Sequence, residues 1–333
     1  MIGMNESHSA SSNRKRSTDG NELLNIWQTT WSDHLVNLRE FVLSWATASG
    51  ARVLNDTGAA ALGGIDSDSE ITAELKRFLD TVRIYAIDEG GRFVDYHTLK
   101  TSRLYLEYRQ YCSPRLIQFD PGNLTSYEKK MSFWINLYNA LILDGVIASK
   151  ITQGIGPNPL KLLAFFRRTA YNVGGYRMNA DDIEHGILRC NRGHPMSPGP
   201  QFSSADPRLA WAIDPVDVRI HFALNCAGRS CPPIQVYSPQ NLDSQLDLAA
   251  RNFINQDISF DQGTHKVQLS TIFKWFAKDF GGRQGILDFL IEHLQDGDRK
   301  SWLRDNEEKI KFQYKAYDWR LNAFEMGPTF EKN

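Results

Sequence analysis

The sequence predicts an α+β fold: a helix-rich single domain in which a central buried helix packs on a small mixed or antiparallel sheet. Its early segments carry apolar residues at helical spacing, and residues 126–150 are apolar on nearly every side. The strand-like segments come later, among helices, and do not alternate with them as repeated βαβ units would.

Taken in order, residues 1–20 are rich in Ser and Asn and are expected to form a disordered tail. Their Arg14-Lys15-Arg16 run reads as solvated charge, with a nuclear address as the alternative. Leu24, Trp27, Trp31, Leu35, Leu38, Phe41, Val42 and Trp45 predict one or two amphipathic helices, an accessory segment over 21–54. The polar, Gly-containing stretch 55–69 is read as a linker, 70–322 as the main domain and 323–333 as a C-terminal tail. Within the main domain, Ile71, Leu75, Phe78, Leu79 and Val82 mark a helix over 70–87, and 105–111 reads as another. Ser126 is placed to cap the central helix. A hairpin is predicted over 169–178, turned at Gly174-Gly175, followed by a strand over 218–226. Helices over 241–255 and 284–294 and a strand over 309–317 complete the expectation.

Composition narrows the function. With 38 basic against 39 acidic residues and a net charge of −1, nothing suggests a nucleic-acid partner or a polybasic membrane anchor. The apolar run 137–148 is too short to span a bilayer and is interrupted by Asn139 and Asp144, so no membrane insertion is expected. Four cysteines in this length make no disulfide framework, which fits a soluble protein of a reducing, cytoplasmic compartment. Neither GxGxxG nor GxxxxGK[ST] occurs, nor does GxSxG, so no cofactor and no ordinary serine-hydrolase site are expected.

The densest chemistry lies in the run from Arg219 to Pro233. Read as a strand, its first half puts Ile220, Phe222, Leu224 and Cys226 on one face and His221 and Asn225 on the other, with Cys231 in the loop beyond Gly228. A loop cysteine near an imidazolium is a candidate nucleophile, whereas a buried one is merely a small apolar residue. In the central helix Ser132, Asn136 and Asn139 form a polar stripe, suited to tying loop backbone to the core or to facing a cleft as oxyanion donors. His185, in a short helix capped by Asn179, is the second candidate base. Cys190 with His194 and Cys226 with Cys231 make two possible zinc-ligand pairs, but their spacing matches no standard signature, and no metal is expected.

These motifs resemble a known family. The runs 133–141, 183–188 and 219–226 through Ser230-Cys231-Pro232-Pro233 are similar to domain of unknown function 547. So are Val94-Asp95-Tyr96, residues 269–276 with Asp279-Phe280, and residues 317–322, so that the resemblance spans about 93–322 in consistent order. Some members are fused to other modules, including a leucine zipper in plants; no sustained heptads occur in the early helices here. The Cys and His content also resembles papain-like and transglutaminase-like thiol enzymes, in which the nucleophile opens the central helix. Here 127–131 holds no cysteine, so a thiol site would have to be built differently.

The leading expectation is therefore an enzyme with Cys231 as nucleophile, His221 or His185 as base, and Asn136, Asn139 or Asn225 as orienting or oxyanion-stabilising groups. It would hydrolyse or transfer acyl groups at an amide or ester of a small-molecule or peptide substrate. The alternative is a non-catalytic binding or scaffold domain with a protein partner.

Overall fold

The computed structural model describes residues 36, 52–56, 68–156, 158–197 and 199–324. The expected tail, the accessory helices apart from Val36, residues 57–67 and residues 325–333 lie outside the described residues.

The fold is α+β. A long helix, α1 (Asp68–Tyr85), buries Ile71, Leu75, Phe78, Leu79 and Val82 against the central helix α2 (Tyr127–Ala148). Ser126 caps α2 by accepting the Lys129 N–H, and every residue from Met131 to Ile147 is buried. By length and composition α2 could cross a bilayer, yet 94% of its most apolar stretch is packed inside the protein. The one acid in that buried stretch, Asp144, is satisfied by the hydroxyls of Tyr105 (2.6 Å) and Tyr171 (2.9 Å) and by the Arg109 guanidinium (2.8 Å).

Helix α3 (Pro159–Arg168) leads into the first sheet, in which β1 (Arg52–Val53) pairs parallel with β2 (Thr169–Val173), and β2 antiparallel with β3 (Tyr176–Asn179). Gly174 and Gly175, both at positive φ, turn the predicted hairpin. Buried Asn55 pins this sheet: its amide donates to the Ser113 and Asn172 carbonyls and accepts the Asn172 N–H. Further along come α4 (Leu242–Asp257), β4 (Ser259–Asp261), β5 (Lys266–Leu269), α5 (Thr271–Trp275), α6 (Gly282–His293), α7 (Asp298–Asp305) and β6 (Lys311–Tyr314). Strand β5 is central to the second sheet, antiparallel to β4 and parallel to β6.

The buried side chains form two clusters. One surrounds α2; the other gathers Phe222, Phe253, Phe273, Leu287 and Leu290 between α4, α5 and α6. The segment between these cores corrects one expectation: Val218–Phe222 is a 3₁₀ turn capped by the Asp217 side chain, not a strand. Ile220 enters the first core and Phe222 the second, so the two apolar residues that alternation assigned to one face diverge. A segment wedged between two cores buries all its faces, and burial then carries no period-two signal.

Candidate functional site

A cavity of about 100 Å³ opens at this seam, lined by Tyr138, Glu184, His185, His221, Cys226 and Tyr317 among others. Trp275, Phe276 and Trp319 supply an aromatic wall.

His221 lines the cavity, stacked on Phe276 with ring centroids 3.9 Å apart. Its Nε2 lies 3.0 Å from Asp279 Oδ2. A carboxylate can only accept, so Nε2 carries the proton and Nδ1 carries a bare lone pair. That Nδ1 is buried and has no hydrogen-bond partner among the described residues. Asp279 also receives Arg189 Nε at 2.6 Å and Arg192 Nη1 at 2.9 Å. Although burial opposes its charge, His221 and the two guanidiniums hold its carboxyl far below the usual carboxylate range. Burial, reinforced by the positive charge of Arg189 and Arg192 and opposed by Asp279, lowers His221 to about 4.

Between His221's ordinary 6.5 and about 4 the unfolded chain binds the proton and the folded one does not. This stabilisation is whole above about pH 6.5 and is lost as pH falls towards 4, a change of about 3 kcal/mol. Asp279, depressed further, keeps its contribution through that window and loses it only in stronger acid. Urea unfolding near neutral pH and near pH 4.5 should show a steeper loss in wild type than in His221→Gln.

His185 is held differently. It lies in the π-helical turn Asp182–Leu188, entered through Asn179, whose side chain accepts the Asp182 N–H. Arg189 Nη1 donates to His185 Nδ1 at 2.9 Å, so the same guanidinium links His185 to Asp279, the partner of His221. Gly186 in this turn meets the buried Phe202 ring so closely that an added Cβ would lie 2.2 Å from it. Gly186→Ala is expected to destabilise the fold by about 1–3 kcal/mol, read as a lower urea midpoint.

Asp181, His185 and His194 could together hold a metal ion, with ligand atoms within 4.8 Å of one another. Their hydrogen bonds oppose it. His185 Nδ1 accepts from Arg189, and His194 Nδ1 accepts the Met196 N–H at 3.1 Å. Both neutral rings therefore carry their proton on Nε2, so neither nitrogen offers a free lone pair to a cation. The zinc set considered from the sequence is not assembled: Cys190 and His194 do not join Cys226 and Cys231, whose neighbours are each other and Tyr317.

The two cysteines correct a second expectation. Cys231 is buried, not exposed in a loop. Ala227 at φ 66° turns the chain back, while the Arg229 and Ser230 N–H groups bond to the carbonyls of Arg320 and Asp318, so the C-terminal segment covers the loop. Cys231 Sγ accepts the backbone N–H groups of Cys226 and Gly228, each at 3.2 Å. Cys226 is half-buried and lines the cavity, its sulfur 2.7 Å from that of Cys231. The Tyr317 hydroxyl touches both sulfurs, at 3.3 and 3.1 Å. Burial pushes the Cys231 thiol up, but the donors converging on its sulfur outweigh this and hold it below the ordinary range. The proton shared with Cys231, together with burial, holds the Cys226 thiol well above that range.

The asparagines serve backbone. Asn136 exchanges hydrogen bonds with the Tyr237 N–H and carbonyl, and Asn139 bonds to the Ala223 carbonyl and Asn225 N–H. Asn225 reaches the Pro232 carbonyl and the Ala227 N–H. Together they shape the loop that carries both cysteines. Ser132 bonds to carbonyls of its own helix.

The sequence reading did not single out Asp279 or Glu184. Asp279 stands in the closing motif and Glu184 beside His185, so motif membership was the available signal. Glu184 lines the cavity, accepts the Tyr138 hydroxyl at 3.1 Å, and is raised by burial to about 7.

No curated protein and no solved structure matches the chain. Residues 121–254, which include Asn136, Asn139, Glu184, His185, His221, Cys226 and Cys231, match the family model described as Protein of unknown function, DUF547.

Proposed function

We propose that this cleft performs thiol-dependent hydrolysis or acyl transfer at an amide or ester bond. The observation that carries the reading is the bare Nδ1 of His221, held by Asp279 in the tautomer a general base requires, on a side chain that lines the same cavity as Cys226. Cys226 keeps its proton at rest, so attack on a carbonyl needs a base, and we assign that role to His221 Nδ1. What favours His221 over His185 is that Arg189 already occupies the Nδ1 of His185. What favours Cys226 over Cys231 as nucleophile is access to the cleft. Glu184, near neutrality, is the proton donor to the departing amine or alcohol. The asparagines act as positioning residues.

The test is to incubate the full-length protein with p-nitrophenyl esters of graded acyl length and map any trapped acyl group by mass spectrometry. An acyl adduct on Cys226, with turnover lost in Cys226→Ala, is expected. Turnover no faster than Cys226→Ala and no adduct would leave the aromatic cleft as the binding surface of a non-catalytic domain.

A further inference from the structure

We propose that Cys226 and Cys231 form a second activity of this site, a dithiol that exchanges with small-molecule disulfides and closes reversibly into an intramolecular disulfide. The inference makes no use of the acyl-transfer reading and is tested without an acyl substrate.

Its basis is the placing of the sulfurs. At 2.7 Å they need approach by only about 0.7 Å to reach the length of a covalent S–S bond. The four residues between them form a loop turned at Ala227 and tied to the segment 318–321 by backbone hydrogen bonds, so the pair is held together by the fold. The two sulfurs also differ in the way exchange requires. Cys226 meets the cavity and can be reached by an incoming disulfide, whereas Cys231 is 2% exposed and cannot. Cys231 is the better stabilised thiolate, with two backbone N–H groups and the Tyr317 hydroxyl around its sulfur, and so is ready to act as the resolving group. The cavity beside them gives Cys226 an aromatic-lined opening through which one sulfur of an incoming disulfide can reach it.

Cys226 gives up its proton and attacks a disulfide RSSR; the Cys226–SR bond forms, the RS–SR bond breaks, and the first RS⁻ leaves and is protonated. The Cys231 thiolate then attacks Cys226 Sγ; the Cys226–Cys231 bond forms, the Cys226–SR bond breaks, and the second RS⁻ leaves and is protonated. Two electrons pass from the protein dithiol to RSSR, which is reduced to two thiols. Excess thiol runs the sequence backwards.

The full-length protein, reduced and then equilibrated in buffers of rising oxidised-to-reduced glutathione ratio, is quenched in acid, alkylated and mapped by mass spectrometry. Cys226 and Cys231 are expected to lose label together and regain it in excess reduced glutathione. Cys112, lifted to about 12 by burial, should keep its label as an internal reference. In Cys231→Ser the mixed disulfide with glutathione should accumulate on Cys226 at least about tenfold above wild type, because nothing resolves it. In Cys226→Ser, Cys231 should stay reduced. Retention of both labels at every ratio, or a mixed disulfide persisting on wild-type Cys226 while Cys231 remains free, would overturn the proposal. The wild-type measurement decides it even where a serine variant fails to fold.

Discussion

Replacing His221 by alanine is expected to slow acylation of Cys226 by about 10²–10⁴-fold, the usual contribution of a positioned general base. Cys226 is a protonated thiol at rest, and His221, which lines the same cavity, carries a buried Nδ1 lone pair with no partner among the described residues. A purely structural role predicts something else: loss of stability with little change in the rate constant of the folded fraction. His221→Gln keeps a side chain able to donate to Asp279 but supplies no base. It should therefore recover stability relative to alanine and recover no rate. Stopped-flow acylation, normalised to folded protein by circular dichroism, separates the two, and wild-type rates in His221→Gln would remove His221 from the reaction.

The largest effect on stability is expected at Asp279, which is 58 residues from His221 in sequence yet binds it, Arg189 and Arg192 together. Asp279→Ala leaves the nearly buried Arg189 guanidinium without its carboxylate and should cost about 3–5 kcal/mol, measured by urea unfolding at neutral pH. Asp279→Asn retains the shape and one acceptor and should cost less. Removing Arg192, whose side chain is 46% exposed, should cost little by comparison, because solvent screens that pair. If alanine at 279 were tolerated within about 1 kcal/mol, the network could not be holding the cavity lining.

Local signals carried much of the fold. Ser126 before an apolar run, Gly174-Gly175 between two short strands and the helical spacing from Ile71 to Val82 each state a backbone preference that packing then respects. The segment 218–226 misled because alternation over a few residues looks the same whether one face is buried or two cores share the segment. The exposure of Cys231 was illegible for a different reason: its cover comes from residues 317–321, about ninety positions later. Candidate residues could be gathered by type and motif, but their roles depend on which atom of each is already engaged. Arg189 at His185 Nδ1, and Tyr237 at the Asn136 amide, are contacts that spacing does not encode.

The position of the cavity at the seam has a practical consequence. Tyr138 and Leu224 belong to the core around α2, while Ile272 and Phe276 belong to the other, and all of them line the same space. A compound seated there would bridge the two halves and be released when either half melts. At one hundred times its dissociation constant it would add about 2.7 kcal/mol to the folded state. Thermal-shift screening of a compound library should thus detect occupants of this cavity before any reaction is known.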